Sequence, residues 1–426
     1  MAMAMAMAMA ITEEEEVSLK VVVNKETNKV LFAEAKKDFV DVLFSFLTVP
    51  LATIVRLVEN ESTMGPVTIG SLNSFYRSVA ALDFNGLWGQ IFKPALLRPQ
   101  NKAQEFCNSL KINIDNTHPP ITFCPELVIL RRLEDGFVND AETFVITDDL
   151  MVIPNTVDYS VLAQMQALGI KGPTSLKEIT MNFTKKKVLD LLKCSLVSKS
   201  CLTDLLLEKK PRIYRPPFFM GSAENNSSIT FKLKLVIRKS DGKVLYAHGD
   251  KYFANMLFSL LAHPLGEVAG MLGGDTCLGC IDGLYNSIAD LNENLYFKSK
   301  EAKSMLVDAP TFTPRSNQGV EEELSMFAVT DDLVIAPSYP TSDIYLISRF
   351  NVSFLDVKEK MVTIGLAECF NILKAALTST SVLTIGLAHL LSEAATSVDV
   401  SSLLDASSDV ESSSDDSLCS SYATSL

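Results

Sequence analysis

Short apolar runs near the start of the chain predict a β-hairpin. Leu19 to Val23 and Val30 to Ala33 are β-branched or apolar segments separated by the polar sequence NKETNK. The same arrangement recurs later in the chain, where the separator is RKSDGK with Asp241 and Gly242 at its centre. Because an Asp-Gly pair tolerates the positive φ angles of a tight turn, both places are predicted to be hairpins.

A long apolar stretch follows each hairpin and predicts two consecutive helices. Asp38 to Val58 is almost continuously apolar and is interrupted by Pro50. Its length would allow a membrane span, but the corresponding stretch from Phe253 to Leu272 contains Asn255 and Glu267, which are costly in lipid. We therefore expect a buried helix that ends near Pro50, with the proline opening a second helix.

Two acidic segments within apolar surroundings predict a second kind of hairpin. They read TFVITDDLMVIP from Thr143 and MFAVTDDLVIAP from Met326. Apolar, partly β-branched flanks around an Asp-rich centre, with a proline at the end, are typical of strand, turn and strand. Further along, Tyr159 to Leu168, Ile344 to Phe350 and Lys187 to Leu207 predict helices, the last of them longer.

These recurrences indicate an internal duplication. Lys29 to Leu47 and Lys243 to Leu261 are identical at ten of 19 positions, against about one expected from background residue frequencies. The offset between partners falls from 214 to 181, so the second copy lacks about 33 residues, 26 of them between Leu82 and Thr147. Two further pairs keep the same order: GSLNSFYRSVAAL from Gly70 with GCIDGLYNSIADL from Gly279, and LLKCSLVSKSCLT from Leu191 with ILKAALTSTSVLT from Ile372.

The predicted fold class is α+β, a tandem duplication of one mixed α/β unit followed by a disordered acidic C-terminal tail. We divide the chain into a disordered N-terminus (1–16), a first copy (17–207), a linker (208–228), a second copy (229–391) and a tail (392–426). The linker is rich in Pro, Lys, Asn and Ser, and the tail is too rich in Ser and Asp to bury a core. The sequence leaves open whether the two copies contact each other.

Charge and composition limit the classes of binding partner and the cellular compartments that we expect for this chain. A net charge of −13 argues against nucleic acid, because phosphate binding needs a surplus of Lys and Arg on one face. The opening MAMAMAMAMAITEEEE has no positive segment before its apolar run, unlike a secretory signal. We expect a cytoplasmic or nuclear protein without a membrane span, whose eight cysteines are thiols. The most plausible partner is another protein.

The paired aspartates of the TDDL segments are the first candidates for chemistry. Asp148 and Asp149, and likewise Asp331 and Asp332, could contribute to a divalent-cation site or to acid-base catalysis. In an extended strand two successive side chains point to opposite faces, whereas in a turn both face solvent and can bond to the backbone. We favour a structural turn over a metal site, because neither segment contains a Glu or His that completes a ligand set.

Cys277 and Cys280 form a CxxC pair, the spacing of redox thiols and of half a zinc site. The matching residues in the first copy are Thr68 and Ser71, and the chain has no second CxxC. We favour buried or inert thiols, with redox and metal roles as alternatives. His248 aligns with Glu34, and the chain has no GxSxG, HExxH or Walker motif, so no catalytic residue or cofactor is predicted.

The assembled motifs resemble the plant proteins of the domain of unknown function 674 family. The likeness extends from Val17 to Leu391, and the family implies no activity, cofactor or catalytic residue. It rests on four segments: EFCNSLKINIDNT from Glu105, GCIDGLYNSIADL from Gly279, AVTDDLVIAPSYPTSDIYLISRFNV from Ala328 and LKAALTSTSVLT from Leu373.

Three hypotheses for the function remain. We favour a non-enzymatic intracellular interaction or scaffold protein, because the duplication carries no shared polar triad and the tail is acidic. The alternative is a metal-dependent hydrolase or transferase with a site between the two copies. A weaker alternative is a carrier of an apolar small molecule.

Overall fold

The computed structural model describes residues 15–60, 67–82, 93–115, 136–140, 143–155, 166, 172–207, 229–308 and 326–391. The predicted linker (208–228), the tail (392–426) and residues 1–14 lie outside this part. So does the helix predicted for Tyr159 to Leu168, apart from Gln166.

Two five-stranded antiparallel sheets have the same strand order. The strands are β1 (Val17–Asn24), β2 (Lys29–Lys36), β3 (Thr143–Thr147), β4 (Val152–Pro154), β5 (Leu176–Phe183), β6 (Phe231–Arg238), β7 (Val244–Asp250), β8 (Met326–Thr330), β9 (Ile335–Pro337) and β10 (Val357–Ile364). The first sheet has the order β4-β3-β2-β1-β5, and the second has the order β9-β8-β7-β6-β10. Both predicted kinds of hairpin are confirmed, β1 with β2 and β3 with β4 in the first sheet and their equivalents in the second.

The helices complete each copy. They are α1 (Lys37–Ser45), α2 (Leu51–Asn60), α3 (Leu72–Ala81), α4 (Gln104–Cys107), α5 (Lys185–Val197), α6 (Cys201–Leu206), α7 (Lys251–Ala262), α8 (Leu265–Met271), α9 (Ile281–Asp290), α10 (Glu293–Tyr296), α11 (Lys300–Val307), α12 (Ser342–Arg349), α13 (Leu366–Thr378), α14 (Val382–Gly386) and α15 (Ala388–Leu391). The predicted break at Pro50 is confirmed, since α2 begins directly after it, and α8 likewise begins after Pro264. Across the described ranges, no helix is long and apolar enough to cross a bilayer.

The structure differs from the sequence prediction in one strand of each copy and in one helix of the first copy. Strands β5 and β10, which pair along their whole length with β1 and β6, were not predicted. The single helix predicted for Lys187 to Leu207 is wrong, because α5 ends at Val197 and α6 starts at Cys201. Ser198 holds this break: its hydroxyl donates to Asp204 Oδ2 at 2.7 Å and accepts from the Ser200 N–H at 3.0 Å.

The two copies meet at their prolines. The Leu51 N–H donates to the His263 carbonyl oxygen, and the Leu265 N–H donates to the Val49 carbonyl oxygen, both at 3.0 Å. Pro50 and Pro264 thereby form an isolated antiparallel bridge. Proline has no N–H of its own, so the neighbouring residues supply the donors. The matched pair of bonds relates the copies by approximate twofold symmetry.

Each copy also sends one helix onto the other. The Ser71 N–H, at the start of α3, donates to the Ala376 carbonyl oxygen at 2.9 Å, so the first copy's α3 sits against α13. In the matching place the Cys280 N–H, at the start of α9, donates to the Ser195 carbonyl oxygen of α5 at 2.8 Å. The copies are therefore interlocked rather than merely adjacent.

Serines in the middle of these exchanged helices bind the edge strands of the opposite sheets. The Ser78 hydroxyl donates to the Ile335 carbonyl oxygen at 2.9 Å and accepts from the Ile335 N–H at 2.7 Å. The Ser287 hydroxyl accepts from the Val152 N–H at 3.0 Å. Both edge strands, β9 and β4, are thus covered by a helix of the other copy, which protects exposed strand edges. A single apolar core runs through both copies.

One contact between the copies depends on Asp41 of the first copy and, among the described residues, has no counterpart at the matching residue of the second copy. Asp41 Oδ1 accepts from the Phe137 N–H at 2.8 Å and from the Val138 N–H at 2.9 Å, and Val138 pairs with Phe297 of the second copy. The residue that matches Asp41 is Asn255, whose buried Oδ1 has no hydrogen-bond partner within the described residues. Phe137 and Val138, which lie in the longer Leu82 to Thr147 region of the first copy, are therefore part of the junction.

Candidate functional site

The first aspartate of each TDDL segment fastens the hairpin to a helix. Asp148 accepts from the backbone N–H and the hydroxyl of Thr203, at 2.7 and 2.8 Å. Asp331 accepts from the same two groups of Thr384, at 2.7 and 2.9 Å. Both threonines lie in the first turn of a short helix, α6 or α14, where N–H groups lack helical partners. These two carboxylates act as side-chain caps from a distant part of the chain.

The second aspartate of each segment closes the turn itself. The Thr147 hydroxyl donates to Asp149 Oδ1, and the Thr330 hydroxyl donates to Asp332 Oδ1. The residue that follows, Leu150 in the first turn, has a φ of 63°, which completes the turn. The predicted turn is thus confirmed in both copies. The metal alternative stays a hypothesis; over the described residues, no three His, Cys, Asp or Glu side chains are grouped to hold an ion.

Burial changes the acidity of these capping groups. It raises the pKa of Asp331 to about 6, against hydrogen bonds from Thr384 that favour the ionised form. The pKa of Asp148 is also raised by burial, with the bonds from Thr203 again opposing the shift. Both carboxylates are therefore harder to ionise than an exposed aspartate.

The two cysteines of the CxxC pair face different partners. The Cys277 thiol donates to Asp275 Oδ1 at 3.3 Å, and the Cys280 thiol donates to the Ser198 carbonyl oxygen at 2.9 Å. Burial raises the pKa of Cys277 to about 12, so little reactive thiolate exists at neutral pH. This environment supports the interpretation as inert thiols, while the redox and metal alternatives stay untested.

A cavity of about 650 Å³ lies between the copies, where the sequence placed the alternative enzyme site. Thr48 and Lys102 of the first copy and Glu267 and Tyr285 of the second copy line it. Glu267 forms an ion pair with Lys102 and lies 3.0 Å from His263 Nδ1. Burial opposes the charged carboxylate, but these two partners hold the pKa of Glu267 below its ordinary value. Its charge is thus already matched by the protein.

A polar cluster on the second sheet joins residues that are far apart in the sequence. Asp343, in the first turn of α12, accepts from the Tyr246 hydroxyl at 2.9 Å. His248 Nε2 lies 2.5 Å from the same Asp343 oxygen, and Lys234 Nζ lies 3.4 Å from the other. Ser338 Oγ lies 3.0 Å from His248 Nδ1. Serine, histidine and aspartate therefore form one continuous hydrogen-bonded chain.

The sequence comparison did not identify this cluster. His248 was set aside because it matches Glu34, yet Tyr246, two positions earlier on the same strand face, also differs from its match, Phe32. The sequence did contain a signal for this site. Two successive positions on one strand face of the second copy carry residues that differ from their matches in the first copy and can form hydrogen bonds. Asp343 could not have been linked to them from the sequence, because it lies 95 positions after His248 and no spacing rule connects the two.

Large apolar side chains are exposed beside this cluster. Helix α12 buries Leu346 and Ile347 against Val236 and Tyr246 of the second sheet. We call the side of the second sheet that carries α12 its outer face. Six apolar side chains on α12, on the segments beside it and on β10 are each 60 to 87% exposed: Tyr339, Ile344, Tyr345, Phe354, Leu355 and Met361.

Comparison with known proteins gives a family and no activity. No curated protein and no solved structure matches the chain. The family described as "Protein of unknown function (DUF674)" matches residues 13–132, 126–325 and 309–367, which together span most of the chain. The chain therefore belongs to the DUF674 family.

Proposed function

We propose that this chain is a non-enzymatic, partner-binding protein, and that its docking surface for another protein is the outer face of the second sheet. The observation that carries the proposal is the cluster of exposed apolar side chains on and around α12. Single exposed apolar residues are ordinary on protein surfaces, whereas several concentrated on one helix and its flanks are typical of an interaction site.

Helix α12 is apolar on two sides. Leu346 and Ile347 pack onto the sheet, while Ile344 and Tyr345 point away from it and are 61 and 69% exposed. Only the first pair is needed to hold the helix. Covering the second pair would remove apolar area from water at about 25 cal/mol per Å², and tyrosine is among the residues that contribute most to binding at interfaces.

Polar groups surround this apolar surface in the manner of an interface rim. Lys234 bridges Asp343 and Glu359, and Arg238 pairs with Asp241 in the neighbouring turn. A partially exposed rim of paired charges contributes orientation rather than affinity. The arrangement supports an apolar partner surface whose edge is polar, as expected of a folded protein or an amphipathic helix.

Site-specific photocrosslinking tests the proposal. A photoreactive amino acid replaces Tyr345 in the full chain, and replaces Tyr252 in a control; Tyr252 is 48% exposed and belongs to a different helix, α7. Both proteins are expressed in cells of the source organism and irradiated. We expect a reproducible crosslinked protein from position 345 that is absent at position 252 and is lost when Ile344→Lys is added.

The matched positions make a negative result informative. Neither Ile344 nor Tyr345 is buried, so their substitution leaves the free energy of unfolding within about 0.5 kcal/mol of the original value. Identical products from positions 345 and 252, or no product from either, would count against a docking surface on α12.

A further inference from the structure

We propose that Ser338 is a nucleophile that accepts an acyl group from an activated ester or thioester, with His248 as its general base. The two copies differ at this place: Asn155 matches Ser338, and Glu34 matches His248. The reactive arrangement is therefore a property of the second copy alone. It is argued from the polar contacts of Ser338, His248 and Asp343 and not from the exposed apolar side chains, and a lasting acyl group without turnover is compatible with a non-enzymatic, partner-binding protein.

The hydrogen-bond chain fixes the tautomer of His248. Asp343 accepts from Tyr246 and lies beside Lys234, so it is surrounded by donors. Burial opposes its charge, but the bonds from His248 and Tyr246 hold the pKa of Asp343 below its ordinary value. The ionised Asp343 accepts a hydrogen bond from the Nε2–H of the His248 ring, and in this tautomer Nδ1 is the acceptor for the Ser338 hydroxyl.

This geometry performs the first half of acyl transfer. Ser338 Oγ forms a bond to the acyl carbon, and the bond from that carbon to the leaving oxygen or sulfur breaks. The hydroxyl proton passes to His248 Nδ1 and then to the leaving group, which departs as an alcohol or a thiol. No electron is gained or lost, and Asp343 stabilises the transient imidazolium.

The backbone around Ser338 limits the rate of both acylation and deacylation. Hydrolysing enzymes hold the tetrahedral oxyanion with free N–H groups near the nucleophile. Here the Ser338 N–H donates to the Met326 carbonyl oxygen at 2.9 Å, and the Tyr339 N–H donates to Ser342 Oγ at 2.8 Å. With these donors already used, both acylation and deacylation are slow. We therefore expect a lasting acyl-serine rather than fast turnover.

Exposure and neighbours define the acyl donor. Ser338 is half-buried, so a small acyl carbon can reach Oγ, whereas His248 beneath it is 5% exposed and is shielded from water. Met326, at the start of β8, and Tyr339, directly after the serine, are 39 and 60% exposed. Apolar neighbours favour a short aliphatic acyl chain over a charged one.

Acylation of the full chain by p-nitrophenyl butyrate tests the inference. We expect release of one equivalent of p-nitrophenol per protein and a butyryl group on Ser338, located by peptide mass spectrometry. His248→Gln slows modification of Ser338 by about 100-fold, the lower range for loss of a general base. Asp343→Asn slows it as well, because the histidine loses its orienting partner.

Two comparisons keep the result decisive. Ser348, an exposed serine on the same helix as Asp343, serves as an internal reference in the unaltered protein, so the test does not depend on a variant that folds. Ser348→Ala leaves the rate at Ser338 unchanged. Equal modification of Ser338 and Ser348, or a His248→Gln protein that is folded by thermal unfolding and reacts at the original rate, would overturn the proposal.

Discussion

The interior contacts of this protein come in matched pairs, whereas the outer faces of its two sheets differ. Ser71 and Cys280 start the exchanged helices with equivalent bonds, and Asp148 and Asp331 cap equivalent helices. Contacts that both copies keep are those that the fold uses. We therefore expect chemistry that is specific to this chain at positions where the two copies differ.

The outer faces show what such a difference means. In the first sheet Phe32 is buried in a small apolar cluster with Val145, and Glu34 on the same strand is exposed. In the second sheet the matching residues, Tyr246 and His248, bind Asp343 beneath an apolar helix. The two strand faces thus differ: one packs apolar side chains, and the other carries a hydrogen-bond network.

Removing the glycines that admit the exchanged helices should have the largest effect. Gly70, just before α3, has a φ of 48°, and a Cβ there would lie 2.3 Å from the Ala376 carbonyl oxygen. Backbone cannot move aside as a flexible side chain can. We expect Gly70→Ala to lower the free energy of unfolding by roughly 3 kcal/mol or more, as measured by urea denaturation.

A second glycine, Gly273, measures the cost of the positive φ angle without the steric clash. Gly273 has a φ of 63° but no atom within 4 Å of its added Cβ, so Gly273→Ala should cost only the left-handed penalty of about 1 kcal/mol. Gly279, the partner of Gly70, would place its Cβ 2.4 Å from the Ser195 carbonyl oxygen. If Gly279→Ala were harmless while Gly70→Ala was not, the two interlocks would not be equivalent.

Removing the capping aspartates should have an intermediate effect. Asp148→Ala and Asp331→Ala each leave a threonine N–H and hydroxyl without their acceptor, at an expected cost of about 1–3 kcal/mol in the free energy of unfolding. Asp38→Ala is the control, because Asp38 is 57% exposed and its pair with Lys111 is 3.5 Å long. Its effect should stay within about 0.5 kcal/mol.

The same proteins distinguish capping from the metal hypothesis. A metal bound to the folded state raises the melting temperature. We expect no rise for the unaltered protein with Mg, Mn, Ca or Zn salts. A rise that disappears in Asp148→Ala or Asp331→Ala would instead indicate a cation site at the TDDL turns and would contradict a purely structural role.

Local patterns predicted local structure well. Asp-Gly and Asp-Asp turns between apolar runs indicated both kinds of hairpin, and Pro50 indicated a helix boundary, because each depends on a few neighbouring residues. Strands β5 and β10 were missed because Lys and Glu interrupt their apolar positions, and only their pairing with β1 and β6 makes them strands. Apolar periodicity alone predicts one continuous helix through Ser198, but the hydrogen bond of its side chain to Asp204 stabilises a break there.

Long-range placement could not be predicted. Nothing in the sequence of α3 indicates that it packs on the opposite copy, since Ser78 and Ile335 are joined only by the fold. The polar cluster likewise brings together three residues from separate elements: His248 of β7, Ser338 directly after β9, and Asp343 of α12. A catalytic motif is visible in a sequence only when its members keep a fixed spacing, which these residues do not.

The smallest expected effect is the acid dependence that Asp331 gives to the free energy of unfolding. Asp331 has a folded-state pKa of about 6 against an ordinary value of 3.8, so its protonated form favours the folded state. The resulting stability is fully present below the ordinary value and is lost as the pH rises through about 6. Between pH 5 and pH 7 the free energy of unfolding should therefore fall.

Asp331→Asn should flatten this fall, because an amide does not titrate, although it loses one acceptor for Thr384. Asp148, whose pKa is raised by burial in the same direction, serves as the matched site. Urea denaturation of both Asn variants at a series of pH values measures the slopes. If Asp331→Asn kept the slope of the unaltered protein, the carboxyl would be ionised throughout.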